Sequence, residues 1–266
     1  MSRTEGGTVW DPTLYLAYAD ERGRPYGELL ARVGAREPRH VVDLGCGPGT
    51  LTAGLAARWP DARVEGLDSS AEMIARAAEL GSGVSFRVAD VTEWMPAPDT
   101  DVVFSNATLQ WVSGHDDLLR KWVAALPPGA WLAFAVPGNF DAASHRLLRS
   151  VARSEPWRDR LATVEIREAP VLDAVGYTEL LQSLGCAVDA WETTYVHVLP
   201  AGGGGVHPVL AWMSGTALRP VRAVLDDAEW AAFAADLGGA LAEAYPAGAA
   251  GVLFPFRRIF VVAQVP

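Results

Sequence analysis

The stretch Val41-Val42-Asp43-Leu44-Gly45-Cys46-Gly47-Pro48-Gly49-Thr50 constrains this chain more than any other. Its apolar start reads as a buried strand, its glycines as a tight turn, and residues 50–59 as a helix that Pro60 stops. Glycine is needed where the backbone takes positive φ or passes a ligand with no Cβ in the way. The spacing is G-x-G-x-G, not the G-x-G-x-x-G that seats a pyrophosphate on a helix N-terminus. Asp43 stands two residues ahead of the first glycine. A carboxylate there suits a ligand with a cationic amine and repels a pyrophosphate. The other reading of the segment is a tight strand–helix turn and nothing more.

Around this bend strands and helices alternate. Strands are expected at 40–44, 63–67, 84–88, 101–105 and 130–136. Helices are expected at 70–80, capped by Ser69 or Ser70 and ended by Gly81, and at 115–126. That rhythm means a parallel sheet with helices on both faces, whose ligands bind outside the carboxyl ends of the strands. Ahead of it, residues 1–9 read as a disordered tail. Asp11 caps a first short helix, with Pro12 in its first turn, and a second follows the Arg24-Pro25 break. After Asn139 the rhythm changes. Helices are expected at 144–154, around Leu180 and Leu181, at 209–218 and at 227–245, with strands at 187–199 and 256–265 and a flexible glycine loop at 202–205. The last two strands are expected to finish the sheet as a hairpin-like pair. Helical insertions at about 140–184 and 207–245 would cap its ligand edge, within one domain from residue 10 to 266.

Composition narrows the class. Hydrophobic residues make up 50% and charged residues 20%, an ordinary globular balance. The net charge of −10 disfavours a nucleic-acid-binding surface. Cys46 and Cys186 make no disulfide framework and read as reduced thiols of a cytoplasmic protein. No signal-peptide-like run and no apolar stretch of membrane-spanning length are visible, so no membrane partner is expected.

Three further strand ends carry candidate contacts. Asp68 is placed to accept ribose hydroxyls, or to cap the following helix. Asp90-Val91 offers a side-chain acceptor and a backbone donor for an adenine edge, or a loop cap. Ser105-Asn106-Ala107 would face the reactive end of a bound nucleotide, or form a plain turn.

Taken together, these residues resemble the class I S-adenosylmethionine-dependent methyltransferases. The resemblance extends outside the core to the trans-aconitate 2-methyltransferase family, through Trp10-Asp11-Pro12 to Tyr15, Glu21-Arg22-Gly23-Arg24-Pro25 and Asn106-Ala107-Thr108-Leu109-Gln110-Trp111. It continues in Trp191-Glu192-Thr193-Thr194-Tyr195, Gly215-Thr216-Ala217-Leu218-Arg219-Pro220 and Phe256-Arg257-Arg258-Ile259-Phe260. It implies a Rossmann-like α/β fold with a mostly parallel seven-stranded sheet, S-adenosylmethionine as cofactor and no metal. It implies a methyl ester of one trans-aconitate carboxylate as product, with S-adenosylhomocysteine. The implied cofactor-binding set is Asp43, Gly45, Cys46, Gly47, Gly49, Asp68, Ser69, Met73, Asp90, Val91, Asn106, Gln110 and Trp111. The extra N-terminal residues, the 202–205 loop and Arg257 depart from the family pattern and bear on the acceptor, not on the donor loop.

A carboxylate acceptor is ionised at neutral pH and needs no general base, so no catalytic acid–base residue is expected. A tricarboxylate calls for arginine, whose planar fork pairs with carboxylate through two hydrogen bonds. Arg24, Arg219 and Arg258 are the candidates, with Tyr15, Tyr195 and Trp212 as walls and His197 beside them. Arg24 could equally be a surface residue, and Tyr195 and His197 plain core. The competing functions are a nicotinamide dehydrogenase, which the Gly spacing disfavours, a non-catalytic S-adenosylmethionine-binding module, and a methyltransferase with another small acceptor. A monomer or weak homodimer is expected.

Overall fold

The computed structural model describes residues 19–200 and 205–266, with side chains from residue 23 onward. The expected tail, the Asp11 helix start, Tyr15 and loop residues 202–204 lie outside that range. In chain order the strands are β1 (His40–Leu44), β2 (Arg63–Asp68), β3 (Ser85–Val88), β4 (Thr100–Asn106), β5 (Trp131–Pro137), β6 (Ala187–Leu199), β7 (Ala247–Gly248) and β8 (Gly251–Gln264). The α-helices are α1 (Ala19–Arg32), α2 (Thr52–Arg58), α3 (Ala71–Ala78), α4 (His115–Ala125), α5 (Ala143–Arg153), α6 (Trp157–Arg160), α7 (Ala174–Gln182), α8 (Pro208–Ser214), α9 (Arg219–Arg222) and α10 (Asp227–Ala244). The chain divides into a sheet unit, residues 22–138, 170–193 and 257–266, and a helical unit, residues 139–169 and 194–256 with 19–21. The boundary falls inside β6 and β8.

The strands run in the order β3-β2-β1-β4-β5-β8-β6. The first five are parallel, as the alternation of strands and helices requires. β8 turns antiparallel against β5, from Trp131 opposite Gln264 to Pro137 opposite Arg258. The expected closing pair is thus present, with the later strand inside and β6 at the end of the order. β7 is a two-residue strand that pairs with β8.

β1 is buried along its whole length, and alternation sends its side chains to two faces. On one face Val42, Leu44, Val103, Phe134 and Val136 pack with Leu118, Leu119 and Trp122 of α4 and Tyr177, Leu180 and Leu181 of α7. Each such side chain contributes about 1.5–3 kcal/mol by leaving water. On the other face Phe104 meets Tyr26 of α1, ring centroids 4.7 Å apart. The helical unit has its own core. Phe233, Leu237 and Leu241, four residues apart on α10, pack with Leu148, Trp157, Val209 and Phe254. Asp226 and Glu229 close the start of α10 with a reciprocal capping box.

Four expectations are corrected. α1 continues through Pro25 instead of breaking there. Pro25 removes one backbone donor, but Tyr26, Leu29 and Val33 bury on one stripe, and that burial outweighs the lost bond. The helix expected at 209–218 is two pieces, because Gly215 ends α8 and Pro220 suits the first turn of α9. β8 begins at Gly251, five residues early. The first helical insertion stops at Ala169, since α7 belongs to the sheet unit through its buried residues.

Tyr177 fixes α7 through a buried polar contact as well. His115 Nδ1 lies 3.2 Å from the Val112 carbonyl, which only accepts, so that nitrogen carries the proton. Nε2 then accepts from the Tyr177 hydroxyl at 2.6 Å. Tyr177→Phe leaves this nitrogen buried without a donor and is expected to cost about 1–3 kcal/mol in urea unfolding. An unchanged midpoint would show the contact to be idle.

Candidate active site

The bend after β1 is held by backbone bonds. Gly45 N and Cys46 N both donate to Leu67 O, at 2.7 and 2.9 Å, and Gly47 N donates to Asp68 Oδ2 at 2.9 Å. Gly45, Gly47 and Gly49 all have positive φ. Their surroundings differ. A Cβ on Gly45 would lie 1.9 Å from Thr108 Oγ1, and one on Gly49 would lie 2.6 Å from Phe86 Cζ. One on Gly47 would meet nothing within 4 Å. Among the described residues, Gly47 is therefore the one of the three whose missing Cβ faces open space, while Gly49 is required by helix–sheet packing.

Asp43 is buried, 3% exposed, and its Oδ2 accepts from Thr52 Oγ1 at 2.6 Å. The alternation that turns Val42 into the core turns Asp43 toward α2. Burial pushes its carboxyl up to about 7, against the Thr52 bond, with the Asp68 charge adding to the rise. Asp68, at the end of β2, accepts from Gly47 N on one oxygen and Ser70 N on the other. An ionised carboxylate has about four lone-pair directions, so both oxygens retain acceptor capacity. Ser70, not Ser69, caps α3, accepting from Met73 N at 3.3 Å; Ser69 is exposed and Met73 is buried.

Asp90 is exposed and accepts from Thr92 N and Thr92 Oγ1, both on Oδ1, which holds its pKa below the ordinary carboxylate range. It caps its loop, one of the two roles open to it, and both recorded bonds leave the second oxygen aside. Val91 packs against the sheet core. At the end of β4, Ala107 has φ 59°, and Gln110 Nε2 donates to its carbonyl at 2.7 Å. Gln110 is buried and Trp111 is exposed. Asn106 Oδ1 is buried with no hydrogen-bond partner among the described residues. Cys46 is buried, and burial, then Asp43 and Asp68, push its thiol well up.

Of the acceptor candidates in the sheet unit, Arg24 is exposed on α1, while Arg258 is buried on β8 opposite the last residue of β5. In the helical unit, His197 stacks between Tyr195 and Trp212, at 6.4 and 4.7 Å between ring centroids, and all three are buried. Arg219 is half-buried there, and burial lowers its pKa. Thr52 and Tyr26 were not anticipated. Tyr26 is buried with its hydroxyl unpartnered among the described residues, and burial and then Asp43 push its pKa far up. Its spacing to Leu29 and Val33 marks a core residue, and nothing in the sequence brings it to Asp43.

These features fit a cationic nucleoside: open backbone at Gly47, a buried carboxylate at Asp43 whose charge Asp68 opposes, and a buried acceptor at Asn106. The comparisons agree. Residues 41–129 match a methyltransferase-domain family. The chain is 57% identical over 259 residues to a trans-aconitate 2-methyltransferase of Mycolicibacterium gilvum (strain PYR-GCK), covering 97% of this chain and 99% of that one. It is 50% identical over 259 residues to that of Mycobacterium tuberculosis (strain ATCC 25177 / H37Ra), covering 97% of each. A solved Haemonchus contortus phosphoethanolamine N-methyltransferase 2 in complex with S-adenosyl-L-methionine shares the fold at TM-score 0.52 and 17% identity. The likeness covers 91% of this chain and 53% of that one, so this chain spans about half its length.

Asp43 gives a pH signature. Its carboxyl titrates at about 7 in the fold and near 4 in the unfolded chain. The folded state binds more protons between those values, so stability falls as pH rises from about 4 to about 7, by up to about 1.4 kcal/mol per pH unit. Urea midpoints across that range should show a downward component that Asp43→Asn removes. An identical profile in the variant would place the titration elsewhere.

Proposed function

The chain belongs to the trans-aconitate 2-methyltransferase family, and from that we propose that it transfers a methyl group from S-adenosylmethionine to one carboxylate of trans-aconitate or a closely similar small tricarboxylic acid. The products are a monomethyl ester and S-adenosylhomocysteine. The observation that carries the reading is the acid-flanked glycine bend at Gly47, inside a likeness that runs the length of the chain. The protein acts as a soluble cytoplasmic enzyme on a small molecule, as a monomer or weak homodimer.

S-adenosylmethionine supplies a sulfonium methyl that is already activated. The chain's residues bind and orient. Asp68 accepts from the ribose hydroxyls, Asp90 and Val91 border the adenine, and Gly45, Gly47, Asn106 and the Asp43 charge hold the methionine half. The acceptor carboxylate is ionised at neutral pH, with an ordinary pKa of about 4. No residue has to remove a proton, and orientation at near-attack distance supplies about 7–11 kcal/mol. Arg258 is the cation we assign to a non-reacting carboxylate, because β8 puts it opposite the end of β5, at the carboxyl edge of the sheet. A guanidinium on the attacking oxygens would blunt their nucleophilicity, so its place is on the others.

Incubating the protein with labelled S-adenosylmethionine and trans-aconitate should give a base-labile methyl ester. S-adenosylhomocysteine binding without ester would refute this acceptor and keep the donor. Arg258→Ala should raise the acceptor KM about tenfold or more with the donor Kd unchanged. An equal loss of donor affinity would remove Arg258 from the acceptor site.

A further inference from the structure

Tyr26 bears a buried hydroxyl that has no partner among the described residues. Its ring is 5% exposed and lies against Phe104. Phe104 is the direct register partner of Asp43 across β1 and β4, so the two side chains leave the sheet on the same face. Asn106, two residues beyond Phe104, leaves on that face as well. Tyr26 Oη and Asn106 Oδ1 are both buried, and neither has a partner among the described residues. A phenylalanine would fill the same volume without leaving a buried polar atom unsatisfied, which is ordinarily destabilising. An orphaned hydroxyl in the packing of a nucleotide-binding edge therefore points to a bound polar group. The three polar groups on this face also divide by role. Asp43 and Asn106 Oδ1 can only accept when the acid is ionised, and so suit an ammonium. Tyr26 is the donor of the three, and burial, then the neighbouring acid, keep its proton on.

We propose that Tyr26 is a positioning residue that reads the amino-acid end of the methyl donor, its hydroxyl donating to the α-carboxylate while Asn106 Oδ1 accepts from the α-ammonium. This rests on the S-adenosylmethionine reading above. It makes the site selective for a nucleoside thioether that still carries its amino-acid chain over one that has lost it.

The test compares S-adenosylhomocysteine with 5′-methylthioadenosine, which has the nucleoside and the thioether but no amino-acid end. Calorimetric titration of wild type and Tyr26→Phe should show S-adenosylhomocysteine weakened about tenfold by the substitution. 5′-Methylthioadenosine affinity should stay within about twofold, because the ring is retained. The ligand-free variant should unfold at the wild-type temperature or above it, since an unsatisfied buried atom is gone. Equal losses for both ligands, no loss for either, or a lower unfolding temperature with parallel losses would each overturn the proposal and make Tyr26 structural. A wild-type protein that binds neither ligand would instead overturn the S-adenosylmethionine reading itself.

Discussion

Three backbone donors tie the exit of β1 to the end of β2: Gly45 N and Cys46 N on the Leu67 carbonyl, and Gly47 N on the Asp68 carboxylate. They are the constraint on which the rest of the site depends. They set the height of the glycine bend above the sheet, and thereby the open backbone at Gly47. They also fix Asp68, whose other oxygen is held by Ser70 N at the start of α3. From the opposite side Thr108 closes on Gly45 so tightly that any side chain there is excluded. The bend is thus clamped between the ends of β2 and β4, the strands on either side of β1 in the sheet.

Clamping two acids at one strand edge has a thermodynamic cost and a use. Asp43 is buried, which raises its pKa, and the Asp68 charge acts against its ionisation as well. A sulfonium that also carries an ammonium is the kind of charge such a pair of acids favours. The same economy explains why no acid–base pair is needed. A cation donor and an anionic acceptor carry their own reactivity, and the chain contributes field and orientation.

Much of this was legible because it is local. The glycine bend, the acid ahead of it and the five parallel strands follow from backbone requirements that a few consecutive residues state on their own. Side-chain partners across the fold were not legible. The Thr52 bond to Asp43 depends on how α2 is turned about its axis, and Phe86 against Gly49 depends on how β3 sits beside β2. Pro25 reads as a breaker by propensity, and the burial of Tyr26 and Leu29 overrode it. α7 looked like part of an insertion until its apolar residues, Tyr177, Leu180 and Leu181, met the sheet. Asp90 retained two readings for the opposite reason: both its roles use the same short turn.

Cys46 sits in the middle of the clamped bend, in a loop that, on the proposed function, receives an alkylating agent. A thiolate in that place would be methylated by the enzyme's own donor and end the working life of the molecule. Burial and the two neighbouring carboxylates keep the sulfur protonated, and hence a poor nucleophile. Burial first, and then the charges of Asp43 and Asp68, therefore disarm a thiol that would otherwise compete for the donor's methyl group.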